Sequence, residues 1–298
     1  MRWWNGLWFG DGGRFEGPYG PKRLAMVRAV VAAGLLAVYL RRGLWGWGGV
    51  DEAFWFPVRV LGLAPLPRLT AGLSDGLAWL FLAALAALAV GWFSRVAAAV
   101  ACAAGFYVLG LPQHFGKVHH MDGLVVVVLG VLACSRCGDA WSVDAWRARR
   151  VDRVRNAVDV GAYHWPVRLL QALLVGVFFA AGVAKLRQGG VPWVTSDQFA
   201  LGLVKSVQDA PWVGERGAVT DWGLWIARQP LLPNALALGG LAVELCYPVA
   251  WFSRRSRWVL VPAVVGLLVG IRLLMGPLFL TFLLLHVVWV PVHARSQR

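Results

Sequence analysis

From about Val167 to Ala184 the chain runs in mostly apolar residues for the thickness of a bilayer's hydrocarbon core, and the run closes on a lysine, Lys185. Small residues stand just before it (Ala180, Ala181, Gly182 and Ala184), of the kind that let neighbouring membrane helices approach closely. Gly189, Gly190 and the pair Pro192-Trp193 then turn the chain out of helix into an interfacial loop. A lysine in hydrocarbon costs roughly 2.5–3.5 kcal/mol at mid-bilayer, so one at this position has two readings. It snorkels to the headgroups, or it works in a water-filled cavity.

The rest of the chain is consistent with this run. Of 298 residues, 59% are hydrophobic and 15% charged, against about 45–50% and about 25% in soluble domains. Apolar stretches joined by short polar segments, with little alternation, predict helices and not a β-barrel. The expectation is an all-α, polytopic transmembrane helical bundle of about eight spans, at 24–40, 76–93, 96–112, 120–134, 167–184, 233–252, 258–275 and 277–292. Residues 1–23 are read as a cytoplasmic N-terminal segment, 24–292 as the transmembrane domain and 293–298 as a cytoplasmic tail. The first 23 residues carry Trp3, Trp4, Trp8 and charges without an apolar core, so the first span is expected to act as its own membrane signal.

The net charge of +14 does not point to nucleic acid, because the arginines sit at segment ends and joints and not in a soluble basic groove. A multi-pass protein obeying the positive-inside rule acquires such a charge, which also suits anionic headgroups. The 18 tryptophans fit the same picture, many falling at predicted interfaces. The larger share of cations falls inside if both termini are cytoplasmic, with Arg147, Arg149, Arg150, Arg153 and Arg155 in one joint and Arg254, Arg255 and Arg257 in another. Arg41 and Arg42 outside count against this orientation. The setting read from this is a cell (inner or plasma) membrane. Residues 41–75 are expected to include a surface-lying amphipathic helix and 186–232 to cap the outer mouth. The basic joint is read as a helix lying on the cytoplasmic leaflet.

Three constellations are candidates for chemistry. Gln113–Asp122 holds three histidines and an acid in ten residues, including His119, His120 and Asp122. Its spacings fit no metal site, so loop histidines or a polar site are the readings left open. Trp141-Ser-Val-Asp144 offers Ser142 as an N-cap and Asp144 as a first-turn acid. Glu244 and Arg272 are charges in adjacent apolar spans, expected to pair with each other or line a cavity. Cys134 and Cys137 form a Cys-x-x-Cys without the partner pair or thioredoxin-like context that redox or metal work needs.

The stretch Phe178-Phe-Ala-Ala-Gly-Val-Ala-Lys-Leu186 followed by Trp193 resembles the segment around the catalytic base of vitamin K-dependent gamma-carboxylases, and more broadly the HTTM (horizontally transferred transmembrane) domain proteins. Trp141-Ser-Val-Asp144, a glutamate before a proline at Glu244 and Pro248, and Met275-Gly276 fall in the same order in that family. Asp139 stands where the carboxylases carry a histidine. The resemblance implies Lys185 as a base and His120 as its catalytic companion. It implies a cavity with His119, Asp122, Glu244, Arg272 and Trp193, and a reduced quinone as co-substrate. The function expected is a quinone- or lipid-linked modification at the extracytoplasmic mouth. The alternatives are a non-catalytic lipid- or quinone-binding or peptide maturation and export factor, and a DoxX-like component of a quinone-linked redox chain.

Overall fold

The computed structural model of the chain describes residues 19–56, 67–116, 120–150, 161–209 and 221–291. It divides into two units, residues 1–170 with 290–298, and residues 171–289.

In the first unit, α1 (Pro21–Arg42) begins on a proline, which gives up only an amide that the first turn leaves unpaired anyway, and stops at Gly43 with φ +72°. Four helices follow one another side by side, α1 against α2 (Ala71–Val90), α2 against α3 (Ser94–Gly110), and α3 against α4 (His120–Cys134). The faces that meet are apolar and small: Leu24, Val31 and Leu35 on α1, Phe81, Leu85 and Leu88 on α2, Ala98 and Ala101 on α3, Val125 and Leu129 on α4 are all buried. Gly105 allows a close approach of α3 to α2, since a Cβ there would lie 2.8 Å from the Phe81 ring.

A short helix, α5 (Val143–Arg150), closes this end of the unit. Ser142 caps it as expected, its Oγ accepting from Ala145 N at 2.9 Å. Asp144 does more than complement the helix dipole. Its carboxylate accepts from the amides of Phe93 and Ser94, at 2.8 and 2.7 Å, and from the Ser94 hydroxyl at 2.7 Å, so it caps the start of α3 from another element. Beneath it, fully buried Arg28 of α1 donates to the carbonyl of Trp141 at 2.6 Å. Gly91, at φ +74°, makes room for that guanidinium: a Cβ would sit 2.2 Å from Arg28 Nη1.

The longest helix, α6 (Gly161–Gly189), starts six residues before the predicted span and carries Pro166 in its second turn, at the cost of one main-chain hydrogen bond. The second unit continues with α7 (Pro192–Thr195), α8 (Gln198–Asp209), α9 (Trp222–Ala227), α10 (Leu232–Cys246), α11 (Pro248–Phe252), α12 (Arg254–Met275) and α13 (Leu280–Leu285).

Apolar helices occupy all eight predicted places, but six have the length and composition to cross a membrane. The remaining two, Met121–Cys134 and Leu280–Trp289, are shorter. One expectation fails over residues 43–56 and 67–70, while 57–66 lie outside the described residues. Among the described residues of 41–75 ahead of α2 there are only 3-10 turns, at Trp47–Gly49 and Glu52–Phe54, in place of a surface helix. Gly43 and Gly46 at positive φ, with Gly48 and Gly49 next to them, break any longer run.

Candidate functional site

Lys185 lies one turn before the end of α6, and its side chain crosses to the neighbouring helix α10. Its Nζ stands 2.5 and 2.7 Å from the two carboxylate oxygens of Glu244 on α10. The packing explains the direction. A Cβ added at Gly182 would lie 3.1 Å from Glu244 Cβ and 3.0 Å from Leu245 Cδ2, so the two helices touch at Gly182 with no side chain between them. Glu244 is therefore level with Gly182, about 10 Å of helix back from Gly189. Helical side chains lean toward the N-terminus, and Lys185, three residues further on, leans onto that level. A snorkelling lysine extends the other way. The Glu244 side chain is 5% exposed and that of Lys185 28%, so the pair is open on the lysine's side and closed on the glutamate's.

The turn after α6 brings an aromatic ring over the pair. Gly190 adopts φ +57°, and a Cβ at Gly189 would lie 3.0 Å from Trp193 Cβ, so the chain folds back tightly on itself. The Trp193 ring centroid comes to 5.7 Å from Lys185 Nζ. Asn234 of α10 pins this cover, its amide donating to the carbonyls of Val194 at 2.6 Å and Ser196 at 3.3 Å.

Of the candidate residues, then, Lys185, Glu244 and Trp193 come together. The expected pairing of Glu244 with Arg272 is not what forms: the carboxylate is held by Lys185, and Arg272 Nη1 donates to the carbonyl of Gly276 at the end of its own helix. Asp122 belongs to the first unit, where it is buried and accepts from Arg42 Nη1 at 3.0 and 3.1 Å and from the Tyr39 hydroxyl at 2.9 Å. Arg42, read from the sequence only as a charge against the orientation, is thus an ion-pair partner. His119 lies outside the described residues, and His120 is described only as the first residue of α4. Among the described residues no group of three or more His, Cys, Asp and Glu is placed to hold a metal.

A further polar network, in the second unit, had no sequence signal beyond residue type. Trp289 Nε1 donates to the Tyr247 hydroxyl at 2.9 Å, which lies 3.2 Å from His286 Nε2, while His286 Nδ1 meets the Phe282 carbonyl at 2.7 Å. With Nδ1 carrying the proton, every member is satisfied as a neutral group. Phe178 of α6 closes against Tyr247 and Phe282 at 5.5 Å each.

A polytopic helical membrane protein with an ion pair set between two apolar helices is the class that this architecture defines. Residues 17–280 match the family model of the HTTM domain, and the chain belongs to that family. No curated protein and no solved structure matches it.

Proposed function

We propose that this HTTM protein is a membrane-embedded modification enzyme in which Lys185 acts as the base toward a quinone- or lipid-linked substrate. The observation that carries the reading is the ion pair of Lys185 with Glu244, since a lysine that only anchored a helix end would gain more by extending to the headgroups. A lysine accepts a proton only as the free amine. Here the ammonium proton has an acceptor along a 2.5 Å hydrogen bond, so passing it to Glu244 exposes the amine and leaves both groups neutral. Trp193 provides an apolar face beside the amine and limits the water around it.

A reduced quinone, the co-substrate that family resemblance implies, is chemically matched by these residues: a flat ring for Trp193 and a hydroxyl proton for the Lys185–Glu244 pair. When bound it would supply the reducing power for the reaction. His120 is proposed as the second catalytic group on resemblance alone. The extracytoplasmic placement of the site follows the arginine count.

The mutual saturation of the pair favours one further reading, a cavity that binds a lipid or quinone without chemistry, or serves peptide maturation or export. The redox-chain reading has less support. Cys134 and Cys137 are free thiols, and burial pushes the Cys137 thiol up, which makes it a poor nucleophile.

The test uses detergent-purified full-length protein, chemically reduced menaquinone and isotope-labelled oxygen, the co-reactant that the family resemblance implies beside the quinone, with mass spectrometry of the quinone after reaction. Label incorporation by the wild type, and none by Lys185→Ala or Lys185→Arg, is the expected result, because arginine cannot give up its proton. Quinone that co-purifies and stays unchanged in all three would leave the binding reading. Activity retained in Lys185→Arg would end the role of Lys185 as base.

A further inference from the structure

In the first unit, a cleft of about 330 Å³ is lined by Ser94, Arg95, Arg136, Gly138, Asp139 and Asp144. Both arginines are tethered through Nε, Arg95 to the carbonyl of Ala133 at 3.3 Å and Arg136 to Asp139 at 3.0 Å. A guanidinium held at Nε is fixed in direction and keeps its two terminal nitrogens for another acceptor, the geometry that suits a phosphate. The carboxylates in the wall are already committed. Asp139 accepts from Arg136 and from the Tyr163 hydroxyl at 2.7 Å, and Asp144 accepts from Phe93 N, Ser94 N and Ser94 Oγ.

The surroundings say which phosphate. Trp92, Phe93, Trp141 and Trp146 ring this end of the unit and are each about half exposed, an aromatic belt of the kind found at headgroup level. Arg147 lies 5.7 Å over Phe93, and Arg150 lies 4.0 Å over Trp146. With Arg149 they add cations beside the cleft, and the described part of this surface carries no acid other than the two already engaged. A soluble phosphate compound needs no such belt. An anionic lipid does.

We propose that this cleft is a binding site for an anionic phospholipid, its phosphate held by Arg95 and Arg136 and its acyl chains lying past the aromatic belt. The proposal is independent of any chemistry at Lys185. It gives a physical role to α5, which is to wall the cleft and present the flanking cations.

The test takes the full-length chain in a mild detergent and measures lipid retention by native mass spectrometry, with phosphatidylglycerol and phosphatidylcholine of identical chains and inorganic phosphate as separate probes. Phosphatidylglycerol should be retained and raise the melting temperature, and phosphatidylcholine should do neither. Arg95→Gln should weaken retention about fivefold, and Arg95→Gln with Arg136→Gln about thirtyfold. Arg95 is exposed, so its single variant melts like the wild type without lipid and carries the test if the double variant folds poorly. Equal retention of the two lipids would overturn the proposal. So would full retention of phosphatidylglycerol by Arg95→Gln, or its displacement by inorganic phosphate at matched concentration.

Discussion

A charged pair between apolar helices makes each partner dependent on the other. Removing Glu244 leaves an ammonium in a nearly dry contact, and removing Lys185 leaves a carboxylate that is 5% exposed. Each single neutral variant, Glu244→Gln or Lys185→Met, should cost roughly 2–3 kcal/mol, short of the 3–5 of a fully buried pair because the Lys185 side chain is 28% exposed. The double variant should cost less than the sum, and a double-mutant cycle of detergent melting curves measures the difference. Cysteine labelling offers a second prediction. Cys134 is exposed and Cys137 buried with its thiol pushed up, so at neutral pH a maleimide should modify Cys134 first. A raised thiol pKa means less thiolate at any given pH, so labelling of Cys137 should rise only under alkaline conditions, as peptide mass spectrometry will show. Lys185 was legible in the sequence because a cation closing an apolar run is costly wherever it points. Its partner was not. Counting residues along spans places Glu244 and Arg272 at neighbouring depths, but it treats side chains as perpendicular to the helix, and a long lysine that leans back by a turn defeats that count.

Apolar length alone located the elements: eight runs were expected, and eight apolar helices stand in those places. Their ends were less legible because local main-chain chemistry sets them. The predicted span 233–252 is broken at Tyr247 because Pro248 has no amide to offer the carbonyl four residues back, and α11 starts afresh from that proline. The last run is a short helix followed by the 3-10 turn His286–Trp289. The clamp around α5 was half legible. Ser142 announced a cap by its type, whereas Asp144 bonds to a turn some fifty residues earlier in the chain, which no local pattern reports. Asp144→Ala should leave two amides and a hydroxyl without their acceptor, costing about 1–3 kcal/mol. Hydrogen exchange should then rise together at the start of α3 and across α5. Faster exchange in α5 alone would show that the two elements are not coupled through this carboxylate.

For the whole molecule, the arginine distribution makes a prediction that the fold leaves open. Alkaline phosphatase fused after residue 60 or residue 210 should be active, fused after residue 150 inactive, and a cytoplasmic reporter should give the reverse. That outcome would put the end of α6 with Lys185 outside and the arginine cleft beside α5 inside. The opposite pattern would exchange the two leaflets and separate the cleft from the leaflet richer in anionic lipid. Each unit buries its own apolar faces, so reporter activity at one fusion point tests the orientation of the helices that flank it and not of the whole chain.

The absent side chain at Gly182 has a practical consequence. Because a Cβ there would stand 3.0–3.1 Å from Leu245 and Glu244, a single methyl group acts as a shim that spreads the two helices by a few tenths of an ångström while changing no charge. Gly182→Ala is therefore a way to stretch the Lys185–Glu244 contact, and Gly182→Ala with Leu245→Ala a way to relax the part due to Leu245, with Lys185 and Glu244 untouched. If proton exchange within the pair limits turnover, the rate should follow that spacing down and back, and a purely structural pair would show the change only in melting temperature.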